Sequence, residues 1–105
     1  MDKLIIKGKA DLKGSIKIKG SKNSALPIMV SALLSKKPLK LKNIPKLDDI
    51  DNMSKLLRSY GAVIKSQKDG LEIKCHKITN VDADYDIVRK MRASILILGP
   101  LLARF

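Results

Sequence analysis

A chain of 105 residues supports one domain with a modest core, and an apolar share of 45% is that of a globular protein rather than a disordered tail. No run approaches the roughly 20 apolar residues needed to cross a bilayer; the most apolar, Ile95 to Leu102, is interrupted by Gly99 and Pro100. Met1 to Lys9 lacks a signal-peptide core and Cys75 has no second cysteine to pair with, so the expected compartment is the reducing cytoplasm.

The net charge of +12 raises the question of nucleic acid. The excess is carried by lysine; the arginines are Arg58, Arg89, Arg92 and Arg104, and arginine is the usual reader of base edges. Tyr60, Tyr85 and Phe105 are too scattered to form a stacking platform. Alternating lysines (Lys17, Lys19; Lys40, Lys42) suit a solvated sheet face. Two other readings stay open: a field that gathers small anions, and a small basic nucleic-acid-binding domain.

Lys3 to Gly8 and Gly14 to Gly20 read as short strands, with Asp11 to Gly14 as the turn of a hairpin. A buried helix is expected from about Asn23 to Leu34, capped by Ser21, Asn23 or Ser24 and apolar almost all round, with Pro27 near its first turn. Pro38 to Asn43 alternates as a strand. Asp48 to Tyr60 is the clearest helix: Asp48, Asp49 and Asp51 open it, Arg58 closes it, Ile50, Met53, Leu57 and Tyr60 share a face, and Gly61 follows. Ala62 to Gln67 and Leu71 to Cys75 form a predicted hairpin with Asp69-Gly70 as the turn signal. After Tyr85, Val88, Met91, Ile95 and Leu98 recur at helical spacing. That helix becomes apolar on every face from Ile95 and needs cover on all sides, so more chain is expected beyond Phe105.

Two segments are candidates for chemistry. Gly20-Ser21-Lys22-Asn23 joins a strand to a helix, so free N–H groups, an ammonium and an amide meet where an anion can bind. The plain alternative is a turn glycine, a cap and a solvated lysine. Arg89 and Arg92 are helix neighbours able to grip a phosphate or carboxylate, or else to pair with Asp82, Asp84 or Asp86. Cys75 and His76 point to opposite faces of a strand, which argues against a nucleophile pair; no other His or Cys completes a metal site.

Three segments, KGSKNSALPIMVSALL, IPKLDDIDNMSKLLRSYGA and YDIVRKMRASILILGPLLARF, taken in that order, resemble the opening of the UDP-N-acetylglucosamine enolpyruvyl transferase family. The shikimate-phosphate branch is less similar, because it usually has Ser and Arg soon after the lysine where this chain has Asn23-Ser24-Ala25-Leu26-Pro27. The resemblance implies an α/β fold, an incomplete βαβαββ repeat of an inside-out α/β barrel. It implies that residues 1–21 are strands of a second domain and residues 22–105 the first part of the first domain. Lys22, as the catalytic cation, and Asn23 would bind phosphoenolpyruvate, and Arg92 would contact UDP-N-acetylglucosamine. No cofactor and no metal are implied, and the partners are those two small molecules, with neither nucleic acid nor membrane. The implied reaction adds the sugar 3′-hydroxyl to C2 of phosphoenolpyruvate and then expels phosphate. Ser21 departs slightly from the family's usual Ala. The family's Gly-rich loop with a reactive Cys would follow Phe105, and Cys75 does not match it.

Overall fold

The computed structural model describes residues 1–105. Helix α1 (Lys22–Ser31) runs on into a 3-10 turn at Ala32–Leu34; strand β1 (Leu39–Lys42) follows, then α2 (Asp48–Ser59), β2 (Val63–Gln67) and β3 (Gly70–Lys74). A short helix α3 (Tyr85–Val88), a 3-10 helix (Arg92–Ile97) and α4 (Leu98–Arg104) complete the chain. The strands form one antiparallel sheet in the order β1-β3-β2, so β1 and β2 are parallel with β3 inserted between them.

Register gives the sheet two distinct faces. Leu39, Ile73 and Ile64 form one row and Leu41, Leu71 and Ser66 the next, all turned toward the helices. The opposite face carries Lys40, Glu72 and Lys65 side by side, with Lys40 3.7 Å from Glu72. One side of the sheet is thus packed and the other solvated, as the alternation of Lys40 and Lys42 predicted; Lys17 and Lys19 lie outside any strand.

The core is one cluster of 17 buried residues. α1 contributes Ala25, Leu26, Met29 and Val30 at helical spacing; α2 contributes Ile50, Met53, Leu56 and Leu57, followed by Tyr60. Ser54 is also buried, and its hydroxyl donates to the Ile50 carbonyl at 2.8 Å, so it leaves no unmet donor. Gly61 sits at φ +108 beyond α2, where a Cβ would meet Thr79 Oγ1 at 2.8 Å. The helix stop and the close packing of the next loop both depend on that glycine.

Four expectations need correction. Residues 3–8 and 14–20 form no strand and no hairpin, and Leu4, Ile5, Ile6, Leu12, Ile16 and Ile18 are exposed; a strand needs another strand to pair with its backbone groups, and none pairs with them. The order therefore begins with a helix, and the first strand of the expected βαβαββ order does not form. α1 is buried on one face only: Pro27, Ile28, Ser31 and Leu34 form an exposed stripe. Pro27 lies in the second turn of α1 rather than the first, so the Asn23 carbonyl loses its helical donor. The helix expected after Tyr85 is broken, because Met91 adopts extended backbone (φ −146, ψ 113) and is buried. Ile95, Leu98 and Leu102 of that region are exposed.

Candidate functional site

The start of α1 is positioned by a backbone contact. At Gly20 a Cβ would lie 1.9 Å from the Asn43 carbonyl oxygen, so only glycine lets the incoming chain pass there. Asn43 takes the left-handed conformation (φ 57), which asparagine tolerates. Its N–H donates to the Asp69 carbonyl at 2.6 Å and its side-chain amide to the Ile18 carbonyl at 3.4 Å. This residue ties β1, the β2–β3 turn and the approach to α1 together.

Ser21 occupies the N-cap position in extended backbone, but its hydroxyl makes no capping bond. The first intrahelical bond runs from Ala25 N–H to the Ser21 carbonyl at 2.9 Å. The N–H groups of Lys22, Asn23 and Ser24 precede it and have no helical acceptor, so the positive end of the helix is open. Lys22 adds an ammonium there. Its Nζ lies 2.7 Å from Asp49 Oδ2 in the first turn of α2. Asn23 is exposed, and its amide takes part in none of the side-chain hydrogen bonds.

The two arginines part company. Arg89 Nε lies 3.3 Å from Asp86 Oδ1 and its guanidinium 5.8 Å from the Tyr85 ring centre, so the local pairing reading holds for it. Arg92 opens the 3-10 helix, is exposed, and belongs to none of the three ion pairs. Its helix packs on α1, but no hydrogen bond or ion pair joins Arg92 to Lys22 or Asn23. Lys22 and Asn23 are thus adjacent, and Arg92 stands on a neighbouring element.

Neither of the two main clefts is lined by these three residues. One, about 670 Å³, lies between the start of α2, the β2–β3 turn and the incoming chain, with Lys19, Lys46, Lys68, Asp51 and Asp69 around it. The other, about 390 Å³, is a hollow on the solvated sheet face with Lys65, Glu72, Lys74 and His76. No three His, Cys, Asp or Glu side chains are arranged so that they could hold a metal ion.

Cys75 is fully buried while His76 is exposed, which agrees with opposite faces. Burial raises the Cys75 thiol above its ordinary range, and the nearby Arg104 guanidinium partly opposes this. A raised thiol is a poor nucleophile at neutral pH, consistent with a structural role. Burial, with the Asp82 carboxylate adding to it, also raises the Tyr60 hydroxyl. Sequence reasoning missed the pairing of Asp49 with Lys22 and the role of Arg104, which donates to the Leu33 carbonyl and anchors α4 to the end of α1. Asp49 was visible only as one of three acidic residues suited to the helix dipole.

The family model for EPSP synthase (3-phosphoshikimate 1-carboxyvinyltransferase) matches residues 6–105. The chain belongs to this family. A UDP-N-acetylglucosamine 1-carboxyvinyltransferase of Paracoccus denitrificans (strain Pd 1222) is 53% identical over 99% of this chain and 25% of its own length. One from Coxiella burnetii (strain Dugway 5J108-111) is 51% identical over all of this chain and 24% of its own. The chain therefore spans about a quarter of the length of the curated relatives it matches. Among solved structures, the enolpyruvyl transferase NikO from Streptomyces tendae superposes with a TM-score of 0.77 at 19% identity, over 89% of this chain and 22% of that one. That likeness speaks to the fold of the family. No helix here is long and apolar enough to cross a membrane.

Proposed function

We propose that this chain forms part of an enzyme that transfers the enolpyruvyl group of phosphoenolpyruvate to the 3′-hydroxyl of UDP-N-acetylglucosamine, releasing phosphate, in the cytoplasm as the first committed step of peptidoglycan synthesis. The observation that carries the proposal is identity above 50% along the whole chain with relatives named for that activity. On this reading, residues 22–105 begin one domain of an inside-out barrel and residues 1–21 lend strands to the other. Their exposed Ile and Leu side chains are apolar surface suited to such a partner.

Both substrates are polyanions, so fixed cations can hold them together and offset the charge that moves during transfer. Lys22 contacts phosphoenolpyruvate from the open positive end of α1. Asn23 orients the same substrate through its free amide, and Arg92, exposed and outside every ion pair, holds the nucleotide sugar.

The test is phosphate release by the full-length protein with either UDP-N-acetylglucosamine or shikimate 3-phosphate as acceptor. Only the first should support turnover; preference for the second assigns the chain to the other branch of its family. Lys22→Ala should reduce kcat by about a hundredfold or more, as loss of one transition-state donor does, and near-normal kinetics would remove Lys22 from the site. The rival reading, a nucleic-acid-binding domain, predicts micromolar affinity for random-sequence RNA at physiological salt.

A further inference from the structure

We infer that Asp49 is the positioning residue for Lys22, an inference that rests on reading Lys22 as the phosphoenolpyruvate contact. Lys22 stands at the first position of α1, where its charge opposes the positive end of its own helix. An unrestrained lysine stem there would swing away into solvent. The carboxylate within ion-pair reach is Asp49, at 2.7 Å, and it projects from the first turn of a different helix. In that turn negative charge is favoured, so α2 supplies a seat for the carboxylate, and the carboxylate a seat for the ammonium.

An ammonium has three donors. One is engaged by Asp49, and two remain for an anionic ligand at a side chain that is still 43% exposed. The ligand then meets an ammonium already held, beside open helical N–H groups, and its binding need not freeze the lysine stem. An ion pair this exposed adds little to folding stability, so the expected consequence of losing it is kinetic. Asp48 provides an internal control. It occupies the same first turn and offers the same charge to the helix, but it is exposed and makes no ion pair with Lys22.

A double-mutant cycle in the full-length protein tests this, with phosphoenolpyruvate as the varied substrate and phosphate release as the readout. Asp49→Asn should lower kcat/KM for phosphoenolpyruvate by about tenfold to a hundredfold, the scale of a misplaced catalytic contact. KM for the acceptor should stay nearly constant. Asp48→Asn should match wild type, and Asp49→Glu should recover part of the loss. Lys22→Ala combined with Asp49→Asn should be no worse than Lys22→Ala alone, because both changes remove one device. Losses that multiply in the double variant overturn the inference. So does an Asp49→Asn enzyme that binds phosphoenolpyruvate as well as wild type or more tightly, the latter showing that the carboxylate competes with the ligand. Normal turnover by Lys22→Ala defeats the underlying reading of Lys22 itself, and with it this inference. A crippled Lys22→Ala beside a normal Asp49→Asn defeats the positioning role alone.

Discussion

Residues 15–19 (Ser-Ile-Lys-Ile-Lys) and β1 (Leu-Lys-Leu-Lys) carry the same alternation, yet only one is a strand. In β1, Leu39 faces Ile73 and Leu41 faces Leu71 across the ladder, and β3 satisfies the backbone. Ile16 and Ile18 are 92% and 83% exposed, and what ties their segment to the rest is the Asn43 amide on the Ile18 carbonyl and the close fit of Gly20. Alternation tells which face of a strand is apolar. Whether the strand forms depends on a neighbour with free backbone groups and an apolar surface in register.

The most direct way to break this comparison is to truncate an isoleucine in each region. Ile73 is fully buried at the centre of the sheet, and Ile73→Ala should cost about 2–5 kcal/mol in urea unfolding of this chain. Ile16→Ala should stay within about 0.5 kcal/mol. Equal losses would mean that the first segment is packed after all. A smaller effect sharpens the same contrast. Gly70 is paired with Lys42, and a Cβ there would lie 1.8 Å from the Leu41 carbonyl oxygen. Gly70→Ala should cost about 1–3 kcal/mol as overpacking and should speed hydrogen exchange at residues 39–42, leaving β1 closer to the condition of residues 15–19. Gly8, around which a Cβ meets nothing within 4 Å, is the control, and Gly8→Ala should change neither stability nor exchange. Unchanged protection of β1 in Gly70→Ala would show that the strand does not depend on close approach at that glycine.

What could be read from the residues follows the same division. α2 was legible because its acidic start, apolar face and closing glycine all point to one answer. The β2–β3 hairpin was legible in outline, but its glycine was given the wrong task. The turn residues are Lys68 and Asp69, and Gly70 belongs to β3, where it admits the β1 backbone rather than a left-handed turn. The spacing of Val88, Met91, Ile95 and Leu98 gave no hint that Met91 would turn inward in extended backbone and split the helix. Of the candidate site, the segments around Lys22–Asn23 and Arg89–Arg92 stand out from the residues as places where an anion can bind, but the particular roles of Lys22, Asn23 and Arg92 come from family resemblance, since a lysine near a helix start is ordinary on its own. Asp49 was out of reach because its pairing with Lys22 exists only once α1 packs on α2.

The smallest expected effect concerns pH, and it distinguishes the closed region from the open one through two buried groups. Cys75 and Tyr60 are acids whose neutral forms are favoured by burial, so in the folded chain both hold their protons to higher pH than in the unfolded chain. As pH climbs past about 8.5, the unfolded thiol ionises first, and past about 10 the unfolded phenol follows. The unfolded state then binds fewer protons than the native one, and stability falls with rising pH, by at most about 1.4 kcal/mol per pH unit for each group. Below pH 8 neither group contributes a slope. Urea unfolding at pH 7, 8, 9.5 and about 10.5 should show this decline, and Cys75→Ala should remove its first part while leaving the portion above pH 10. His76, exposed beside Cys75, offers the contrast of a neighbour outside the core. A Cys75→Ala chain that loses stability between pH 8 and 9.5 as steeply as the wild type would show that the thiol is not held in the closed core.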